Sequence, residues 1–133
     1  MGVARRGGVL LRVDGSLQFV PASIAVRVAP PPRVSSVPGA PPDLLGIALY
    51  EGMVIPVIAI GSARAGMMIC QHAGELLGLV GGEVVKSGSF DSAPDRPDFI
   101  EHEGQSAAPL DVTAIYARVQ AAARPGGPRP RRP

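Results

Sequence analysis

Short stretches with apolar residues recur along the chain, and four pairs of them meet at a two-residue step ending in glycine. The steps are Asp14-Gly15 in "VLLRVDGSLQFV" (9–20), Glu51-Gly52 in "LYEGMVIPVIAIG" (49–61), Ala73-Gly74 in "MMICQHAGELLGLV" (67–80) and Glu103-Gly104 in "DFIEHEGQSAAPL" (98–110). Glycine accepts the positive φ that a tight hairpin needs, so each step predicts a β-turn between two strands. Four hairpins with little between them predict an all-β, barrel-like fold. Gly81-Gly82 then introduces one more short strand, Glu83 to Lys86.

The apolar run from Leu44 to Ile60 raises the question of a membrane helix, since about 20 residues span a bilayer. Glu51 lies near its centre, where an acid costs about 2.5–3.5 kcal/mol. A soluble helix fits no better, because Val54, Ile55, Val57, Ile58 and Ile60 are β-branched and Pro56 would break it. Two strands around Glu51-Gly52 satisfy every residue. Both faces of that hairpin are apolar, which predicts a course through the centre of a barrel or sandwich.

Two stretches have helical features. "PASIAVRVA" (21–29) is short and is stopped by Pro30-Pro31-Pro32; its alternative is an extended edge. "DVTAIYARVQAAA" (111–123) is the better helix. Asp111 is its N-cap, Val112, Ile115, Tyr116 and Val119 share a face, and Pro125-Gly126-Gly127 ends it. Residues 1–7 read as a flexible N-terminus, "SGSFDSAPDRP" (87–97) as a mobile surface loop, and 124–133 as a disordered basic tail. One domain of residues 8–123 remains.

Composition narrows the function. The formal charge is +2, but Arg5, Arg6 and four C-terminal arginines lie outside the predicted body. Residues 7–123 carry seven basic side chains against all eleven acids, a net of −4. A nucleic-acid partner needs a basic face on the folded part, so none is expected. A single cysteine excludes a disulfide framework and fits a reducing compartment. "MGVARRGG" is followed by no apolar signal-peptide core, so the expected location is cytoplasmic, without membrane insertion.

Catalytic chemistry does not assemble. Cys70 and His72 come from one hairpin and His102 from another, and the set stops at three ligands, one short of a structural zinc site; Cys70 at mid-strand between apolar residues reads as inert. Ser35, Ser36, Ser87 and Ser89 sit in no nucleophile elbow. Glu101 and Glu103 flank His102, but neighbouring strand residues point to opposite faces. The expectation is a protein that binds and is not an enzyme, with no cofactor and no metal.

Between Ser23 and Gly61 stand Val37-Pro38-Gly39-Ala40-Pro41, Gly46-Ile47, Gly52, Pro56-Val57 and Ile60. With these residues at these spacings the chain resembles the CheW-like domain of bacterial chemosensory systems. Downstream, "AGELLGLVGGEVVKSG" and "IEHEGQSAAPLDVTAIYARV" are similar to that family's later strand pair and closing strand with helix. The resemblance covers residues 8–120, specifically in its first half and loosely in its second. It implies two small, interlocked five-stranded β-barrels with a hydrophobic seam, residues 8–61 supplying strands of the first and 66–123 the second barrel and the C-terminal helix. It also implies a signalling adaptor, at receptor clusters, that couples a chemoreceptor to a CheA-type histidine kinase by surface docking. On that basis Ala25, Arg27, Val28, Tyr50 and Glu51 contact the receptor partner, and Val34, Ser35, Gly46 and Ile47 face the kinase.

The departures from the family pattern carry their own expectations. The family's arginine before the turn glycine is Glu51 here, and its usual acid in the preceding segment is Arg27. If the two face each other, they keep an ion pair with reversed polarity. That would repel a partner shaped for the usual order and suit a dedicated one. Ala59 replaces an aspartate of the pattern. The short loops at "GSARAG" and after Lys86 predict a trimmed second barrel, with at least one strand missing or merged. The alternative function is an assembly or polar-targeting module that has lost kinase coupling. An uncovered strand edge would also let the chain pair with itself.

Overall fold

The computed structural model describes residues 5–30, 33–64 and 66–123, with side chains as far as Gln120. Ten strands and one helix follow in chain order: β1 Arg5–Val13, β2 Ser16–Pro21, β3 Ala25–Ala29, β4 Leu44–Tyr50, β5 Met53–Ala59, β6 Met67–His72, β7 Glu75–Val80, β8 Gly82–Ser92, β9 Ile100–His102, β10 Gln105–Pro109 and α1 Val112–Ala123. All four glycine steps are hairpin turns. Both central residues of each have positive φ, from Asp14 at 48° and Gly15 at 90° to Glu103 at 49° and Gly104 at 79°. That is the mirror-image turn whose twist matches paired strands.

The strands form two five-stranded sheets. One closes into a barrel in the order β1-β2-β10-β9-β8; the other runs β3-β6-β7-β5-β4. The joins β2–β10 and β5–β7 are parallel, and the remaining pairings are antiparallel. The sheets do not follow the halves 8–61 and 66–123. The barrel takes strands from both ends of the chain and the second sheet takes the middle, which interlocks them. No strand of the second sheet is missing, contrary to the trimming expected from its short loops. It stays open, however, with β3 and β4 as its edges.

Three apolar clusters hold this arrangement. Leu10, Phe19, Phe90, Ile100 and Ala107 fill the barrel. Ala48, Ile55, Val57, Met67, Ile69 and Val80 lie on one side of the second sheet. Between the two runs a seam of Leu11, Val20, Ile58, Met68, Cys70, Leu77 and Leu79, which α1 covers with Val112, Ile115 and Val119. Asp111 caps that helix by accepting the Ala114 N–H at 2.9 Å, as its position predicts.

Several segments differ from the reading of the sequence. Residues 21–29 are not helical; Ala25–Ala29 form the edge strand β3, the extended alternative. The short strand Glu83–Lys86 is part of the eleven-residue β8, which absorbs most of the expected loop 87–97 up to Ser92. Phe90, Ser92 and Ala93 are buried there, so barrel packing overrides the polar, glycine-rich composition. Arg5, Arg6 and Gly7 belong to β1, not to a loose end. The Arg5 guanidinium lies 2.7 Å from Asp91, and that of Arg6 stands 5.3 Å from the Phe19 ring centroid. Residues 1–4 and the tail 124–133 lie outside the described residues.

A polar latch joins the sheets. The Asp14 carboxylate, in the β1–β2 turn, accepts the Ser62 hydroxyl at 2.6 Å and the Ser62 N–H at 3.0 Å. These bonds, the hydroxyl first, hold the Asp14 carboxyl below its ordinary value of 3.8. A carboxylate with a depressed folded pKa contributes stability above its unfolded pKa and loses it as pH falls through the folded one. Ser62→Ala should therefore lower the melting temperature at pH 7, and the gap to the parent should shrink in melts taken below about pH 4. An equal gap at both pH values would remove the latch.

Candidate functional site

The open side of the second sheet carries a cluster of exposed apolar side chains. In β4 and β5, side chains alternate: Ala48, Ile55 and Val57 point into the core, while Ile47, Leu49 and Val54 point out. Leu49 and Val54 are cross-strand partners, and they are 73% and 65% exposed. The hairpin therefore does not run through the centre of a barrel, as its two apolar faces suggested. β4 is an edge, and the outer face of the hairpin is apolar surface. Scattered exposed leucines and valines need no explanation, whereas a contiguous apolar patch marks a contact site.

A groove of about 710 Å³ lies beside this face, between the two sheet edges. One wall is Arg27, Val28 and Ala29 from β3, and the other is Ile47, Leu49 and Tyr50 from β4, with Arg33, Ser35 and Met67 also lining it. Arg27 and Glu51 bridge the gap by an ion pair of 3.0 Å, and the guanidinium also stands 5.9 Å from the Tyr50 ring centroid. The two charges singled out as departures from the family pattern thus face each other. Their side chains are 57% and 62% exposed; an ion pair so open to water contributes about 0.2–1 kcal/mol. Its importance lies in the charge order it presents.

At its other end the β4 edge is covered. Ser35 and Ile47 exchange two backbone hydrogen bonds of 2.9 Å. This close approach works because residue 46 is glycine: it has φ of 152°, and a Cβ there would run into the Ser35 carbonyl.

The nine residues assigned from the resemblance divide by burial. Arg27, Val28, Tyr50, Ser35 and Ile47 line the groove, and Glu51 is tied to it through Arg27. Receptor-side and kinase-side assignments thus meet on one surface. Gly46 is buried, Val34 packs on the core of the second sheet, and Ala25 packs on the seam. Leu49, Val54 and Arg33 were missed. The signal for the first two was the apolar outer face of the hairpin, taken for a core face.

The residues considered for chemistry are dispersed. Cys70 is fully buried in the seam, and burial pushes its thiol up to about 12. His72 packs edge-on against Tyr116, with centroids 5.4 Å apart; His102 packs against Phe90 at 5.9 Å. Glu101 accepts the Ser106 hydroxyl at 2.9 Å. Tyr116 donates its hydroxyl to Glu75 at 2.8 Å, which raises its pKa and ties α1 to the β6–β7 hairpin. No described helix is long and apolar enough to cross a membrane.

A mainly β chain with a closed barrel, an interlocked second sheet, a shared seam and a closing helix has a CheW-like architecture. The structure is similar to that of the scaffolding protein TtCheW from Thermoanaerobacter tengcongensis, with a TM-score of 0.66 over 81% of this chain and 90% of that one. Sequence identity between the two is 14%, so the likeness is one of fold. No family model matches the chain, and no curated protein matches it.

Proposed function

We propose that this chain is a non-enzymatic adaptor of a chemosensory pathway that couples a chemoreceptor to a CheA-type histidine kinase by docking. The observation that carries the reading is the exposed apolar face of Ile47, Leu49 and Val54 beside an open groove, on a CheW-like fold. Interfaces of this kind draw most of their affinity from a few apolar or aromatic anchors, with charged residues at the rim setting specificity. Leu49 suits the anchor role, and Arg27, Arg33 and Glu51 suit the rim.

The test is retention on immobilised chemoreceptor cytoplasmic tip and on the regulatory domain of the kinase. Leu49→Asp should weaken retention by at least about tenfold, as expected for an interface anchor, with an unchanged melting temperature because the side chain is solvated. Failure of the unmodified chain to bind either protein would end this reading.

The Arg27–Glu51 pair favours a second reading, an assembly or polar-targeting module with a dedicated partner. Its charge order is the reverse of the family pattern, and reversal repels a partner built for the usual one. Exchanging the charges (Arg27→Glu with Glu51→Arg) should leave folding intact while changing which protein co-purifies. If both versions capture the same partner equally well, the dedicated-partner reading fails.

A further inference from the structure

Strand β8 has an edge that the barrel does not use. Over residues 82–91 one side of β8 is paired with β1, but β9 covers the other side only at Asp91 and Ser92. Among the described residues, no strand pairs with that second side from Glu83 to Ser89. Val84 and Val85 on this segment are 45% and 39% exposed. Such an edge offers unpaired backbone groups to another chain.

The segment reads Glu83-Val84-Val85-Lys86. In a regular strand, residues three apart point to opposite faces. Here a bulge changes the parity. Glu83 lies opposite Arg12 and Lys86 opposite Leu10, with the register shift between Leu10 and Leu11. Arg12 and Leu10 are two apart and share a face of β1, so Glu83 and Lys86 share the matching face of β8. Neither makes an ion pair among the described residues; Lys86 stands 5.8 Å from the Phe90 ring centroid.

We propose that this edge docks on the same edge of a second copy of the chain, antiparallel, about a two-fold axis between Val84 and Val85. In that register Glu83 faces Lys86 of the second copy, Lys86 faces its Glu83, and the valines meet in the middle. Opposite charges placed directly across strands attract, and a two-fold contact makes each such pair twice. A lysine or a bulge on an edge ordinarily guards against pairing. In this segment the bulge puts the lysine's counterion on the lysine's own face, so the guard is satisfied in the one register where the segment meets itself. A contact this short buries less surface than a standard interface and is therefore weak. The inference stands on the strand edge and is independent of any receptor or kinase.

Sedimentation velocity of the full chain alone, over a concentration series, is the test. The parent should pass from monomer to dimer as concentration rises. Lys86→Glu places acids opposite acids and should remain monomeric at concentrations about tenfold higher. Glu83→Lys should do the same, with its melting temperature checked because the new lysine lies opposite Arg12. An equimolar mixture of the two variants pairs lysine with glutamate at every contact and should dimerise again, as should the double exchange within one chain. A parent that stays monomeric throughout overturns the proposal. So does a Lys86→Glu variant that dimerises like the parent, or a mixture and double exchange that both stay monomeric.

Discussion

Gly46→Ala is expected to cost about 3–5 kcal/mol of stability and to release the β4 edge. Three effects add at this position. The backbone sits at φ of 152°, where a side chain is strained. A Cβ would collide with the Ser35 carbonyl and the Val34 side chain, and the nearest atoms on Ser35 are backbone that cannot rotate away. Relieving the collision pulls apart the paired hydrogen bonds of 2.9 Å between Ser35 and Ile47. Gly52→Ala is the control, because it has positive φ but no atom within 4 Å of its Cβ; it should lose only the conformational term, about 1–2 kcal/mol. Chemical denaturation measures both, and hydrogen exchange at the Ile47 amide locates the damage. A Gly46→Ala protein that melts with the parent would mean that the Ser35 segment does not hold the edge.

Phe19→Ala should lower stability by about 3–5 kcal/mol and the melting temperature by about 10–20 °C. Phe19 is fully buried at the centre of the barrel and meets Phe90 edge-to-face, with centroids 5.8 Å apart and the rings at 78°. The chain has three phenylalanines and no tryptophan, and the barrel's other described aromatic contact, His102 against Phe90 at 5.9 Å, shares the same Phe90 ring. Against a typical net stability of about 5–15 kcal/mol, this loss is a large fraction of the whole. A double-mutant cycle with Phe90→Ala should leave a coupling of about 0.5–1.5 kcal/mol for the ring pair itself. If Phe19→Ala cost less than about 1 kcal/mol, the barrel would not depend on this pair.

Much of the architecture was legible because its signals are local. A two-residue step ending in glycine specifies its turn whatever surrounds it, and all four turns are found where those steps occur. The capped helix at Asp111 is local in the same sense. Segments judged by composition alone fared worse. "SGSFDS" is polar and glycine-rich, yet it is strand, because β1 supplies a long partner and Phe90 a place in the barrel core. Residues 25–29 hold apolar side chains at spacings that suit either a helix or a strand, and pairing with β6 decides between them.

The candidate site was half legible for a related reason. Residues carried over from the family resemblance mark the groove, and the facing of Arg27 and Glu51 could be anticipated from their complementary departures. Leu49 and Val54 could not be placed, because an apolar residue on a two-faced hairpin has the same chemistry whether a second layer covers it or not. They are exposed because, among the described residues, no second layer covers the outer face of β4 and β5.

By itself, then, the sequence determined the hairpins, their turns, the closing helix and the predominance of strands, all of which follow from interactions between residues close along the chain. The tertiary structure alone decided that the chain's two ends share one barrel, that the second sheet stays open between β3 and β4, and which apolar faces meet water. Those outcomes depend on pairings between residues far apart in sequence, and side-chain chemistry alone does not say which distant strand will arrive to cover a given edge.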